Sequence, residues 1–176
     1  MKKLVIYLSI LVFGINIYAQ NNWNIYNNSN GIKSITLAKT LKTNSNGDIN
    51  VYNYINGIRE ITPSKTIRKN SNGDVDIYNN THGIQETNPS KTLKSSGNGG
   101  YDVYNNSFGI REVTPFKTIK SDDSDGFNVY NTTYGIPEVT PTKIIKSNSN
   151  NGYDVYNTSF GSSEITPVKT IDPIEW

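Results

Sequence analysis

The chain has 176 residues, no cysteine, one histidine, and 17 Lys and Arg against 15 Asp and Glu. The lack of cysteine excludes disulfides, thiol nucleophiles and a lipidated N-terminal cysteine. Lys2 and Lys3 lie at the extreme N-terminus, so the rest of the chain is balanced at 15 to 15. That balance argues against a nucleic-acid partner and against a polybasic tail for a membrane surface.

The N-terminal "MKKLVIYLSILVFGINIYAQ" places two lysines before an apolar run that ends at small Ala19. That order predicts a signal peptide over residues 1–19 and an exported protein that is secreted, periplasmic or on the cell surface. The run falls short of the ~20 apolar residues of a spanning helix, so no transmembrane helix is expected after cleavage. Residues 20–176 are expected to form one β-repeat domain.

From there the chain repeats itself every 26 residues: Tyr26, Tyr52, Tyr78, Tyr104, Tyr130 and Tyr156 keep that step, as do Gly31 through Gly161 and Lys39 through Lys169. Six units result, at approximately 23–48, 49–74, 75–100, 101–126, 127–152 and 153–172. Self-similarity at this length marks an architecture in which each unit buries its apolar face against its neighbours.

Each unit begins with an alternating stretch such as "YDVYN" (101–105), which predicts a strand with Tyr101 and Val103 on the core face and Tyr104 on the other. A turn at "NSFG" (106–109) uses the positive φ open to glycine. The following "IREVTPFKTIK" (110–120) carries Pro115, matched by Pro63, Pro89, Pro141 and Pro167. Proline cannot donate to a ladder, so this run is expected to split into two short strands. Asn-Gly links such as "NSNGD" (44–48) suit tight antiparallel turns.

Two all-β architectures fit: an antiparallel meander of hairpins that is curled, superhelical or closed, and a parallel β-solenoid with one repeat per rung. In the solenoid the six lysines would stack ~4.8 Å apart in one column, with the glutamates in another. Like charges directly opposite one another on neighbouring strands are destabilising, so the meander is preferred. The end copies differ, with Ser34 and Leu37 replacing Glu and Pro and Ser162 replacing Ile. Polar, atypical terminal repeats favour an open array over a ring.

No catalytic signature emerges, and the protein is expected not to be an enzyme and to need no cofactor. His82 occupies a turn position of variable identity, a poor host for a catalytic relay. Glu60, Glu86, Glu112, Glu138 and Glu164 share one context, whereas glycoside cleavage needs two carboxylates in different environments. Asp122, Asp123 and Asp125 resemble part of a calcium loop, but Ser121 stands at the first ligand position and no glutamate at the twelfth. Turn chemistry is the simpler account, and no metal site is assigned.

The asparagines that follow the tyrosines, Asn27 through Asn157, are expected to bond the backbone of the adjacent turn. The functional candidate is the second strand face, where Tyr52, Tyr78, Tyr104, Tyr130 and Tyr156 recur beside Asn or Asp. Repeated aromatics with hydrogen-bonding neighbours suit a glycan, a cell-envelope component or another protein, each contact gaining by multivalency. Edge-to-edge self-association, an outer-membrane β-barrel and a secreted enzyme of unknown type are the alternatives.

Overall fold

The computed structural model describes residues 22–97, 99–122 and 125–174; the expected leader and Asp123 lie outside them. Every described element is a β-strand. The first repeat supplies β1 (Trp23–Ser29) and β2 (Ile32–Thr43), and the second β3 (Ile49–Ile55), β4 (Ile58–Arg59) and β5 (Lys65–Lys69). The third supplies β6 (Val75–Thr81), β7 (Ile84–Gln85) and β8 (Lys91–Gly97), the fourth β9 (Gly100–Ser107), β10 (Ile110–Arg111) and β11 (Lys117–Ser121). The fifth gives β12 (Phe127–Thr133), β13 (Ile136–Pro137) and β14 (Lys143–Ser147), and the last β15 (Tyr153–Ser159), β16 (Ser162–Ser163) and β17 (Lys169–Pro173).

The proline divides the second run as expected. In the second repeat β4 pairs with the upper half of β3, the chain leaves the sheet through Pro63, and β5 returns to the lower half of β3. In the first repeat Leu37 keeps its amide, and β2 runs unbroken for 12 residues. Its extra length is taken up by register shifts against β1 on either side of Tyr26.

All pairings are antiparallel, so the sheet is the meander and not the solenoid. The long strands follow one another as hairpins from β1 to β17, and β17 then pairs with β1 from Trp23↔Pro173 to Asn27↔Lys169. The sheet is therefore closed, with twelve long strands in the ring. This corrects the open array that Ser34, Leu37 and Ser162 suggested. Lys65 faces Val51 on one side and Asn79 on the other, so the register climbs two residues per repeat. That stagger is what closure of a tilted sheet requires.

The apolar face turns inward. Ile25, Val51, Ile77, Val103, Val129 and Val155 alternate around the ring with Leu41, Ile67, Leu93, Ile119, Ile145 and Ile171, all 0–1% exposed. Trp23, Ile49, Val75 and Phe127 lie below them, with Tyr101 and Tyr153 partly buried against the same core. The outer wall is polar: Thr66, Thr92, Thr118 and Thr170 are buried and bond Asn50, Asp76, Asp102 and Asp154 respectively across the strands. A membrane-spanning barrel has the opposite arrangement, with its apolar band facing out.

The lower end is built from the Asn-Gly links. Asn44 Oδ1 accepts the amides of Asn46 and Asp48 at 2.9 and 3.0 Å, and Asn70 and Asn148 repeat the motif. The upper end carries the hairpins formed by the strand tops and the two-residue strands. It is the part of the molecule that the core does not explain.

Candidate functional site: the outer wall and hairpin rim

The tyrosine row lies on the outer wall, half buried, as its strand phase predicts. A cation sits over each ring of the row. Arg59 covers Tyr52 and Arg111 covers Tyr104 from the hairpin side at 5.1 and 5.0 Å, and Lys33 covers Tyr26 at 4.7 Å. Arg68, Lys120 and Lys146 cover Tyr78, Tyr130 and Tyr156 from the neighbouring strand at 5.0–5.6 Å. Burial raises the phenol pKa of Tyr78 and Tyr156, and Asp76 and Asp154 add to it. The row is thus a belt of cation-capped phenols.

The repeated phase of the lysines puts them on the inner face, two residues above the core leucines and isoleucines. There Lys65 donates to Asn79 Oδ1, Lys91 to Asn105 Oδ1 at 2.6 Å, and Lys39 and Lys169 to Asn53 and Asn27. The asparagine amides donate onward: Asn53 Nδ2 to Glu60 Oε2 at 2.7 Å, and Asn79, Asn105 and Asn157 to Glu86, Glu112 and Glu164 at 3.2 Å. These side chains therefore join lysine to glutamate instead of bonding the turn backbone. Burial lowers the pKa of Lys39, Lys65 and Lys169, and Lys39 is lowered further by Lys65. The glutamates are held in one repeated hydrogen-bonded role.

Each hairpin turns through two residues with positive φ. At Asn30, Asn56, His82, Phe108, Tyr134 and Phe160 φ is 50–51°, and the glycine that follows has φ of 79–82°. Both angles suit the tight turn that matches strand twist. Asparagine tolerates the first position, whereas a bulky aromatic there is strained. The strain has no packing return, because Phe108, Tyr134 and Phe160 are fully exposed. Every hairpin but the second also leans on the preceding repeat: a Cβ on Gly83 would lie 2.6 Å from Thr62 Cγ2, while one on Gly57 would meet nothing within 4 Å.

The rim is apolar well beyond these tips. Ile32, Ile58, Ile84, Ile110 and Ile136, one residue past the turn glycine, are 72–75% exposed. Ile35, Ile61, Val113, Val139 and Ile165, three residues further on, are 95–99% exposed. With Ile55 and the three aromatics they make fourteen large exposed apolar side chains among the described residues, all on the rim. These positions were missed in the sequence because they read as continuing strand; the available signal was that they fall between the turn glycine and the proline, outside the core phase.

A groove of about 610 Å³ opens between the third and fourth hairpins, lined by Asn79, Glu86, Asn88, Asn106 and Phe108 among others. Asn106 Nδ2 donates to Thr92 at 3.0 Å, and its buried Oδ1 has no partner. His82 stands exposed at a hairpin tip. Asp122 accepts the Gly126 amide at 2.9 Å in turn fashion, Asp125 has positive φ, and Asp123 lies outside the described residues. No cluster of three metal-ligating side chains occurs among the described residues. Comparison with family models, curated proteins and solved structures found no match for this chain.

Proposed function

We propose that this is an exported, non-catalytic repeat protein that binds a partner at the cell surface or envelope, with the hairpin rim as its main working surface and the tyrosine belt beside it. The observation that carries this reading is the recurrence of bare Ile and Val at fixed rim positions in successive repeats, where they stabilise no core. Exposed apolar surface of this extent on a folded domain marks an interaction site. Repetition makes the site multivalent, each hairpin adding a weak contact. The reading is tested by changing Phe108, Tyr134 and Phe160 to asparagine one at a time and following retention on isolated envelope fractions. Binding is expected to weaken in steps; complete loss from one substitution, or no loss from all three, contradicts it.

A second reading, glycan binding, is favoured by the groove at the third and fourth hairpins. Its amides, the Glu86 carboxylate and the unpartnered Asn106 Oδ1 match sugar hydroxyls, and Phe108 offers an aromatic face. Loss of binding to a glycan array on Asn106→Ala with Glu86→Gln would support it, and an array with no bound sugar would oppose it.

A further inference from the structure

We infer that the rim docks on the surface of a lipid bilayer, with the hairpin tips inserted among the acyl chains and the tyrosine belt at headgroup level. The inference rests on the rim as the working surface and names its partner. Four observations favour lipid over another folded protein or a second copy. First, the hairpins are equivalent members of a closed ring, so their tips project from one end and present a footprint suited to a flat partner. Second, the exposed apolar side chains stand on separate hairpins around the ring. Fluid chains take in side chains spaced in this way, whereas a rigid protein surface must be shaped to them.

Third, the opposite end carries polar turns anchored by Asn44, Asn70 and Asn148, whereas the exposed large apolar side chains of the described residues all lie at the hairpin end, three of them aromatic tips, so the apolar character is directed along the ring axis. Fourth, Lys33, Arg59 and Arg111 lie over tyrosine rings of the belt, where Lys33 also pairs with Asp172 at 2.8 Å and Arg111 with Asp74 at 3.6 Å, so the belt is an amphipathic band below the tips. From tip to tyrosine is four residues of strand, about 13 Å at ~3.3 Å per residue. Tips buried ~5–10 Å would therefore bring the phenols to the depth of lipid phosphates and glycerol, the place that amphipathic aromatics favour. The strained aromatics fit the same account: asparagine would close the turn better, but it would not partition into lipid.

The ring beginning at Gln20, which keeps every described strand and lacks the apolar leader, is mixed with phosphatidylcholine vesicles and sedimented. The protein is expected in the vesicle pellet, and raising the salt concentration is not expected to release it, because insertion is apolar. The variant Phe108→Asn, Tyr134→Asn, Phe160→Asn is expected to bind at least about tenfold less, since three large apolar groups no longer leave water. Its fold is protected by design, because Asn30 and Asn56 already occupy the same turn position. A second variant, Ile61→Thr, Val113→Thr, Val139→Thr, Ile165→Thr, copies Thr87 of the third repeat and is expected to lose binding similarly.

Absence of the parent from the pellet, or undiminished binding by both variants, overturns the lipid inference. A stable oligomer that the same substitutions dissociate makes a second copy the occupant and overturns it as well. Should vesicle binding fail while both variants lose retention on envelope fractions, lipid is rejected and the rim remains the working surface. Should neither assay respond to either variant, both readings fall.

Discussion

The core ring and the rim use the same kind of residue at the same 26-residue step, yet one set is 0–1% exposed and the other 72–99%. Ile77 sits two residues above Val75 on a continuous inner face, and closure of the sheet surrounds it. Ile61 follows the same strand run at its proline excursion, where the backbone has left the sheet and no second layer covers it. Recurrence of an apolar residue in a repeat thus has two separate causes. One is the need of each unit to pack on its neighbours; the other, on the proposed reading of the rim, is contact with a partner outside the molecule.

The sharpest way to break that comparison is to truncate one residue of each set. Ile77→Ala is expected to cost about 2–4 kcal/mol in denaturant unfolding, because it opens a cavity in a sealed core. Ile61→Ala is expected to change stability by no more than ~0.5 kcal/mol. Equal costs would show that the rim is packed in solution. A smaller contrast lies within the rim itself. Gly83→Ala combines a positive φ of 80° with a clash on Thr62 and is expected to cost about 1–2 kcal/mol. Gly57→Ala meets only the φ cost and is expected to lose ~1 kcal/mol or less, as read from paired thermal melts.

The tips reverse the usual direction of a mutation. Phe108→Asn is expected to raise stability by about 0.5–1 kcal/mol, because asparagine accepts the left-handed conformation and no burial is given up. A fall in the melting midpoint would mean that the aromatic packs on something in the free protein. The smallest expected effect concerns Lys65. Burial holds its ammonium below the ordinary value of 10.5, so the folded state takes up this proton less readily than the unfolded chain. Its contribution to stability is therefore full above pH ~10.5 and falls as pH drops through the folded-state value. Relative to Lys65→Met, the parent is expected to gain stability between pH 7 and about 10.5. Tyrosine ionisation is common to both chains and cancels in the difference.

Much of this fold was legible. The alternation of Tyr101 and Val103 gave the strand phase, Gly109 the turn, and Pro115 the break that separates β10 from β11. The charge argument against stacked lysines also pointed to the right pairing, since equivalent lysines stand two strands apart in the meander. Closure was not legible. It depends on a two-residue stagger summed around the ring, which no single residue encodes, and the polar end copies pointed the other way. Leu37 replaces proline where β2 runs unbroken along β1, and Ser162 lies on an exposed rim position with no seam to protect.

The candidate site was legible only at its base. Strand phase put the tyrosines on the outer wall, but the cations over their rings come from neighbouring strands and hairpins that only the register brings near. The asparagines read as turn residues because they precede a turn; pairing across to lysine and glutamate gives them a different use. The rim aliphatics looked like ordinary strand residues until the excursion at the proline removed them from the sheet.

Hydrogen-deuterium exchange, measured on the free protein and on the protein with phosphatidylcholine vesicles, tests the division between ring and rim most directly. Amides of β1 and β17 are expected to exchange as slowly as those of β5 and β6, while the hairpins at 54–62 and 106–114 exchange rapidly alone and slow down with vesicles. Rapid exchange across the β1 and β17 seam would contradict closure. Hairpins already slow in the free protein, or unchanged by vesicles, would contradict the assignment of the rim to a lipid partner.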